Sequence, residues 1–187
     1  MTLLLTSLLT SLALAQDGDG DGCIDSYVDA NDACVNVTAS LASGVTVGAG
    51  AEVQEYASVG PDVALASGAF IGARATLVGR LSAVGAVPIG ANSVVGRRTT
   101  IGADHDIGAD NVFSRAVTSG VRLQTGSDVT VGYASDLGDD VVLGAFVTVG
   151  SLTYIGDRTE VSPLTVIARG ATIADSAGGG LQAVAAI

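Results

Sequence analysis

The stretch TTIGADHDIGAD, residues 99–110, consists of two consecutive six-residue units of the same design. An apolar residue, Ile101 or Ile107, stands at the same place in each unit and is followed by glycine. From Val35 to Ile173 this position recurs every six residues, and twenty-one of its twenty-four occupants are large and apolar. A period of six fits neither an α-helix nor a hairpin and indicates a solenoid, whose stacked coils bury a column of aliphatic side chains. The glycine is expected to relax the turn geometry.

The repeat resembles the hexapeptide-repeat family, in which Leu, Ile or Val is followed by a small or acidic residue and, after two unrestricted positions, by Ser, Thr, Ala or Val. The match covers residues 35–174. The resemblance implies an all-β fold, a left-handed parallel β-helix solenoid of about eight triangular coils with three hexapeptides each. It also implies a homotrimer, and many members of the family are acyltransferases. Because no insertion shifts the phase of the repeat, we expect eighteen residues per coil and no loop between coils.

Residues 1–15 are predicted to be a signal peptide, because a short apolar run ends in a small-x-small cleavage pattern at Ala13–Ala15. The run is too short for a permanent anchor, so the mature protein is expected to have no membrane span. A buried N-terminal helix is the alternative. We expect export to the periplasm, the extracellular space or the cell surface, with a partner there, and a flexible C-terminal tail over residues 175–187.

Residues 16–34 form an acidic segment in which carboxylates alternate with glycine, an arrangement that gathers oxygen ligands around Ca²⁺. It resembles a thrombospondin type 3 calcium repeat and departs from the EF-hand pattern at Val28. The expected calcium ligands are Asp17, Asp19, Asp21, Asp25 and Asp29. A disordered acidic linker is the alternative. Cys23 and Cys34 are the only cysteines of the chain, and export favours a disulfide between them.

The charge balance excludes one class of partner and indicates one candidate site. The formal net charge is −11, whereas a nucleic-acid-binding surface needs clustered positive charge, so no nucleic-acid partner is expected. With eighteen residues per coil, Arg80 would lie under Arg98, and Arg97 under Arg115. These four arginines predict an anion-binding corner. The alternative is a solvated corner that pairs with acids of a neighbouring subunit.

One outward face of the predicted prism is free of charge, level and rich in β-branched residues. A charge-free face of this length favours association, either as a seam between subunits or as a binding surface. Its predicted members are Ser58, Thr76, Val94, Val112, Thr130, Thr148 and Val166.

His105, the only histidine of the chain, is the candidate catalytic residue. The family's carbonic anhydrases need three histidines around Zn²⁺, so neither that activity nor zinc is expected. An acyltransferase needs a general base, which would be His105, oriented by Asp104 or Asp106 at a trimer interface. In this alternative acyl-CoA would be the acyl donor.

A structural interpretation of the same region competes with the catalytic one. In it His105 and Asn111 make corner hydrogen bonds, while Leu123 refills volume lost at Ser119 and Thr125, the two polar interruptions of the apolar column.

Three features weigh against acyl transfer: no insertion loop shapes an acceptor site, no helical domain follows Asp175, and acyl donors are cytosolic. We therefore favour an exported, non-catalytic structural, surface or binding module, with an acyltransferase-like enzyme as the alternative.

Overall fold

The described part of the chain is built almost entirely of two-residue strands and tight corners. The computed structural model describes residues 22–23, 32–79 and 87–176. Its strands are β1 Cys34–Val35, β2 Ser40–Leu41, β3 Thr46–Val47, β4 Glu52–Val53, β5 Ser58–Val59, β6 Val63–Leu65, β7 Phe70–Ile71, β8 Thr76–Leu77, β9 Val87–Ile89, β10 Val94–Val95, β11 Thr100–Ile101, β12 Asp106–Ile107, β13 Val112–Phe113, β14 Thr118–Ser119, β15 Gln124–Thr125, β16 Thr130–Val131, β17 Asp136–Leu137, β18 Val142–Leu143, β19 Thr148–Val149, β20 Tyr154–Ile155, β21 Glu160–Val161, β22 Val166–Ile167 and β23 Thr172–Ile173.

These strands form three parallel sheets, which are the three faces of a triangular solenoid. Face 1 contains every third strand from β1 to β22, face 2 every third strand from β2 to β23, and face 3 every third strand from β3 to β21. Each strand pairs with the third strand before or after it, so one coil uses three strands. The predicted all-β solenoid of triangular coils is confirmed, with about seven turns.

The inward side chains form the aliphatic column that the repeat predicts. Ile71, Leu77, Ile101, Ile107 and Phe113 are all fully buried. A second inward position lies two residues before each of these and holds mostly small residues. We call it the inner slot.

The spacing between paired strands departs from the expected eighteen residues at one coil. Leu77 pairs with Ile101, a separation of twenty-four, and the neighbouring strand pairs in the same coil have the same separation. Six additional residues therefore enter the chain between Gly79 and Val87. The expectation of an uninterrupted lattice is wrong here. Ala83, a predicted member of the column, lies outside the described residues.

The glycines after the inward residues have a different role from the one predicted. Gly102 does not have the left-handed backbone conformation, which occurs two residues later, at Asp104 with φ 55°. A Cβ atom at Gly102 would instead overlap the carbonyl oxygen of Gly120 in the next coil. Glycine is needed at this position because neighbouring coils approach closely, whereas the corners themselves mostly use non-glycine residues at positive φ.

The first coil is joined to the residues before it by the predicted disulfide. Cys23 and Cys34 are bonded, with their Cα atoms 5.2 Å apart. An isolated antiparallel bridge also links Cys23 to Asn36. The predicted signal peptide lies outside the described residues. Most of the acidic segment and most of the C-terminal tail also lie outside them. No helix long and apolar enough to cross a bilayer occurs within the described ranges.

Candidate functional site

His105 lies at the inner slot immediately before β12 and points into the coil. The residue is only 2% exposed. Its Nδ1 atom lies 2.9 Å from the carbonyl oxygen of Gly102, and since a carbonyl only accepts, Nδ1 carries the proton and donates it. Nε2 is then an acceptor, and it has no hydrogen-bond partner among the described residues. The tautomer is therefore fixed by the corner backbone.

Burial lowers the pKa of His105 below its ordinary value, because the charged imidazolium would lose its hydration. The Gly102 hydrogen bond and the charges of Asp106 and Asp104 act in the opposite direction and are smaller. The side chain of Asp106 is exposed, on the outer side of the strand. His105 is therefore a neutral, enclosed imidazole near neutral pH.

This placement favours the structural interpretation of His105. A general base must come within hydrogen-bond reach of the proton that it removes. In this subunit Nδ1 is already engaged with Gly102, and Nε2 is enclosed by the coil. The expected corner hydrogen bond is present, and the fully buried Leu123 occupies the inner slot of the next coil.

The polar positions near His105 are satisfied by local backbone and side-chain groups. Ser119 Oγ accepts a hydrogen bond from the Gly102 amide at 3.2 Å. Thr125 Oγ1 accepts from Asn111 Nδ2 at 2.7 Å, and Asn111 Oδ1 accepts from the Val129 amide at 2.7 Å. Asn111 therefore makes the predicted corner hydrogen bonds and links consecutive coils. These groups form an internal network rather than an open recess.

The arginine corner has a different membership from the one predicted. Because of the six additional residues, Arg98 lies one coil from Arg74, and its amide donates to the Ala73 carbonyl at 3.2 Å. Arg97 and Arg115 do occupy equivalent positions one coil apart. Arg80 lies outside the described residues.

We define the Arg corner as Arg74, Arg97, Arg98 and Arg115, between faces 1 and 2. Two tyrosines lie at its ends: the guanidinium carbon of Arg74 is 5.7 Å from the Tyr56 ring centroid, and that of Arg115 is 5.0 Å from the Tyr133 ring centroid. The expected spacing of eighteen residues per coil misses Arg74, because the additional residues lie between Arg74 and Arg98. The observed separation of twenty-four residues at this coil places Arg74 next to Arg98.

The uncharged outer face also needs correction. Ser58 and Thr76 lie on face 2, whereas the other five predicted members lie on face 1 together with Phe70 and Glu52. From Phe70 to Val166 the outward strand positions of face 1 carry no charge. Next to this face, the C-terminal corners expose further apolar side chains, namely Tyr133, Phe146, Leu152 and Leu164.

The corner between faces 2 and 3 is acidic, a feature that is not among the predictions from the sequence. The carboxylates of Asp139, Asp157 and Asp175 each accept a hydrogen bond from a backbone amide one coil earlier. Their spacing of eighteen residues was the available signal. No group of carboxylates, cysteines and histidine suited to a metal occurs among the described residues. The five predicted calcium ligands lie outside those residues.

Comparison with known proteins identifies the fold. No protein-family model and no curated protein matches the chain. Among solved structures, the UDP-N-acetylglucosamine O-acyltransferase of Moraxella catarrhalis is 17% identical, with a TM-score of 0.50, over 76% of this chain and 60% of its own. The UDP-N-acetylglucosamine acyltransferase of Francisella novicida is 17% identical, with a TM-score of 0.46, over 75% of this chain and 60% of its own.

A third match is a point mutant of GDP-perosamine N-acetyl transferase from Caulobacter crescentus, which is 18% identical, with a TM-score of 0.35, over 76% of this chain and 52% of its own. The chain thus spans less than two thirds of each of these three proteins. At such identities the likeness concerns the fold alone. Together with the three parallel faces and the six-residue repeat, the likeness to the Moraxella catarrhalis structure shows that the chain has the fold of a hexapeptide-repeat left-handed β-helix.

Proposed function

We propose that this protein is an exported, non-catalytic β-helix that serves as a binding or structural module, assembled as a homotrimer. The observation that carries the proposal is the enclosure of His105, whose Nδ1 is engaged with Gly102 and which is 2% exposed as a residue. The only histidine of the chain is thereby used inside the coil. The corners, and face 1 from Phe70 to Val166, where the outward strand positions carry no charge, are left as the surfaces through which the molecule acts.

Export is supported by the Cys23–Cys34 disulfide, because such bonds persist mainly in oxidising compartments. Calcium binding by the acidic segment before Cys34 is part of the proposal, and it would order the approach to the first coil. N-terminal sequencing of the protein from its native host should begin after Ala15. Chelation of Ca²⁺ should lower the melting temperature, and an unchanged melting temperature would remove calcium from the proposal.

The test of the non-catalytic role is an acyl-transfer assay of the full chain with acyl-CoA and amino-sugar acceptors. Wild type and His105→Val should both show only the background rate. His105→Val is the matched variant because Val117, Val129 and Val141 fill equivalent inner slots. Turnover by the wild type that disappears in a folded His105→Val protein would overturn the proposal and favour the acyltransferase alternative.

Homotrimer formation is tested separately by light scattering during gel filtration. Replacement of Val112 by Asp introduces a charge at an exposed position of face 1 and should shift a trimer toward monomer. The same replacement at Thr118, an exposed position on face 2, is the control. A monomeric wild-type protein would contradict this part of the proposal.

A further inference from the structure

The Arg corner has a regular geometry that a small anion would not fully use. Arg74 and Arg98 stand at the same place in consecutive coils, with φ 59° and 57°. Arg97 and Arg115 also stand at the same place in consecutive coils, one residue earlier in the corner. Parallel strands are spaced by about 4.8 Å, so the four guanidinium groups are distributed over about 10 Å along the axis. The positive charge is a line parallel to the axis of the solenoid.

This line of charge has no salt-bridge partner within the described part of the chain. None of the four arginines forms a salt bridge with a described residue, whereas Arg122, on another corner, pairs with Asp140. Like charges on neighbouring coils repel one another, so an anionic ligand would relieve this repulsion. Glu55, exposed at the N-terminal end of the line, makes no salt bridge with a described residue either. A chain of net charge −11 thus concentrates unpaired positive charge at one corner.

The ends of the line are aromatic. Tyr56 and Tyr133 are 57% and 44% exposed, and each ring contacts the nearest arginine of the corner. These contacts limit the orientations of Arg74 and Arg115. The remaining ring surfaces are flat and apolar with a polar hydroxyl, which suits contact with the C–H face of a sugar ring. From Tyr56 to Tyr133 the surface extends over four coil steps, or about 19 Å.

We propose that the Arg corner, with Tyr56 and Tyr133 at its ends, binds a linear acidic polysaccharide that carries one carboxylate per sugar. The length of one sugar unit is close to the spacing of the coils, so the carboxylates on the side of the chain that faces the corner recur in step with the arginines. Guanidinium groups bind carboxylates through paired N–H donors. The line of four arginines is short and the rest of the molecule is acidic, which disfavours nucleic acid.

The inference rests on the proposed binding role and specifies its ligand class. The probe is hexagalacturonate, titrated by calorimetry into the full-length protein at low ionic strength. The double variant R97Q/R98Q should bind at least tenfold more weakly. Glutamine keeps a side chain at the positive-φ corner position, so the backbone requirement is unchanged. The matched control is R122Q/R158Q, which removes the same charge from the acidic corner and should bind within threefold of wild type.

Three further arms separate charge from sugar recognition. Methyl-esterified hexagalacturonate has the same sugars without charge and should not bind. Tyr133→Ala should weaken binding at least threefold, while Tyr154→Ala, an exposed tyrosine on face 2, should not. A sulfated glycan and a single-stranded oligonucleotide of equal charge should bind more weakly than hexagalacturonate.

The outcomes that overturn the proposal are equally definite. They are no binding of hexagalacturonate, equal weakening by the two double variants, or preference for the oligonucleotide or the sulfated glycan. Circular dichroism melting of each variant verifies folding. None of these results affects the acyl-transfer assay of His105, so failure of this inference remains distinguishable from failure of the non-catalytic role.

Discussion

Lowering the pH from 7 to 5.5 should reduce the stability of the fold through the enclosed imidazole of His105. The folded state holds this group neutral, with a pKa below its ordinary value because of burial. The unfolded chain exposes it and takes up a proton below about pH 6.5. Its contribution to stability is therefore fully present above the unfolded pKa and is lost as the pH falls toward the folded pKa.

The magnitude follows from proton linkage for a single site. Each pH unit below the unfolded pKa is worth at most about 1.4 kcal/mol, because one proton is bound only by the unfolded state. Between pH 7 and 5.5 the integrated loss reaches about 1.3 kcal/mol when the folded pKa lies below this window. Asp104 and Asp106 oppose the shift and reduce this loss. Carboxylates titrate mainly below the window.

The assay is urea unfolding of wild type and His105→Val at several pH values across this window. The difference in unfolding free energy between the two proteins isolates the imidazole, since all carboxylates are common to both. Wild type should lose up to about 1.3 kcal/mol relative to the variant as the pH falls. Parallel pH profiles, or a wild type that gains relative stability at low pH, would refute the enclosed, neutral state of His105.

Three further predictions concern packing and strain. Leu164→Gly should stabilise the protein by about 0.5–1 kcal/mol, because Leu164 is 77% exposed at φ 62°, whereas Leu164→Ala should give no gain. Gly102→Ala should lower the free energy of unfolding by at least about 3 kcal/mol, since its Cβ would meet the backbone of the next coil. Gly50→Ala should lower it by about 1–2 kcal/mol, because there is free space for the Cβ but the backbone has φ 65°. Asn111→Ala should cost about 3 kcal/mol by leaving the buried Val129 amide without its acceptor, and a loss below about 1 kcal/mol would contradict the network. Denaturant unfolding measures all three.

The sequence predicts which side chains point inward, because the six-residue phase is never broken. It does not predict which face a residue belongs to, because faces depend on a count of eighteen. Six additional residues between Gly79 and Val87 preserve the phase and change that count. This is why Arg74 was missed and why Thr76 was assigned to the wrong face.

The candidate site was predicted only as a pair of alternatives. His105 was located at the correct inner slot, but the repeat does not say whether a side chain there is enclosed or reaches a cleft. Its enclosure depends on the corner at Gly102 and on Leu123 in the next coil, which are features of three-dimensional packing. The disulfide was predictable because the chain has only two cysteines.

The change of register after β8 has a practical consequence for engineering. The coil that ends before Gly79 and the coil that begins at Val87 stack in register despite the additional residues between them. The stacking of the solenoid therefore does not depend on the length of this connection. Closing a longer loop costs only about 0.6 kcal/mol per doubling of its length. A reporter peptide or a folded domain inserted there would be displayed at the corner between faces 2 and 3 without displacing any strand.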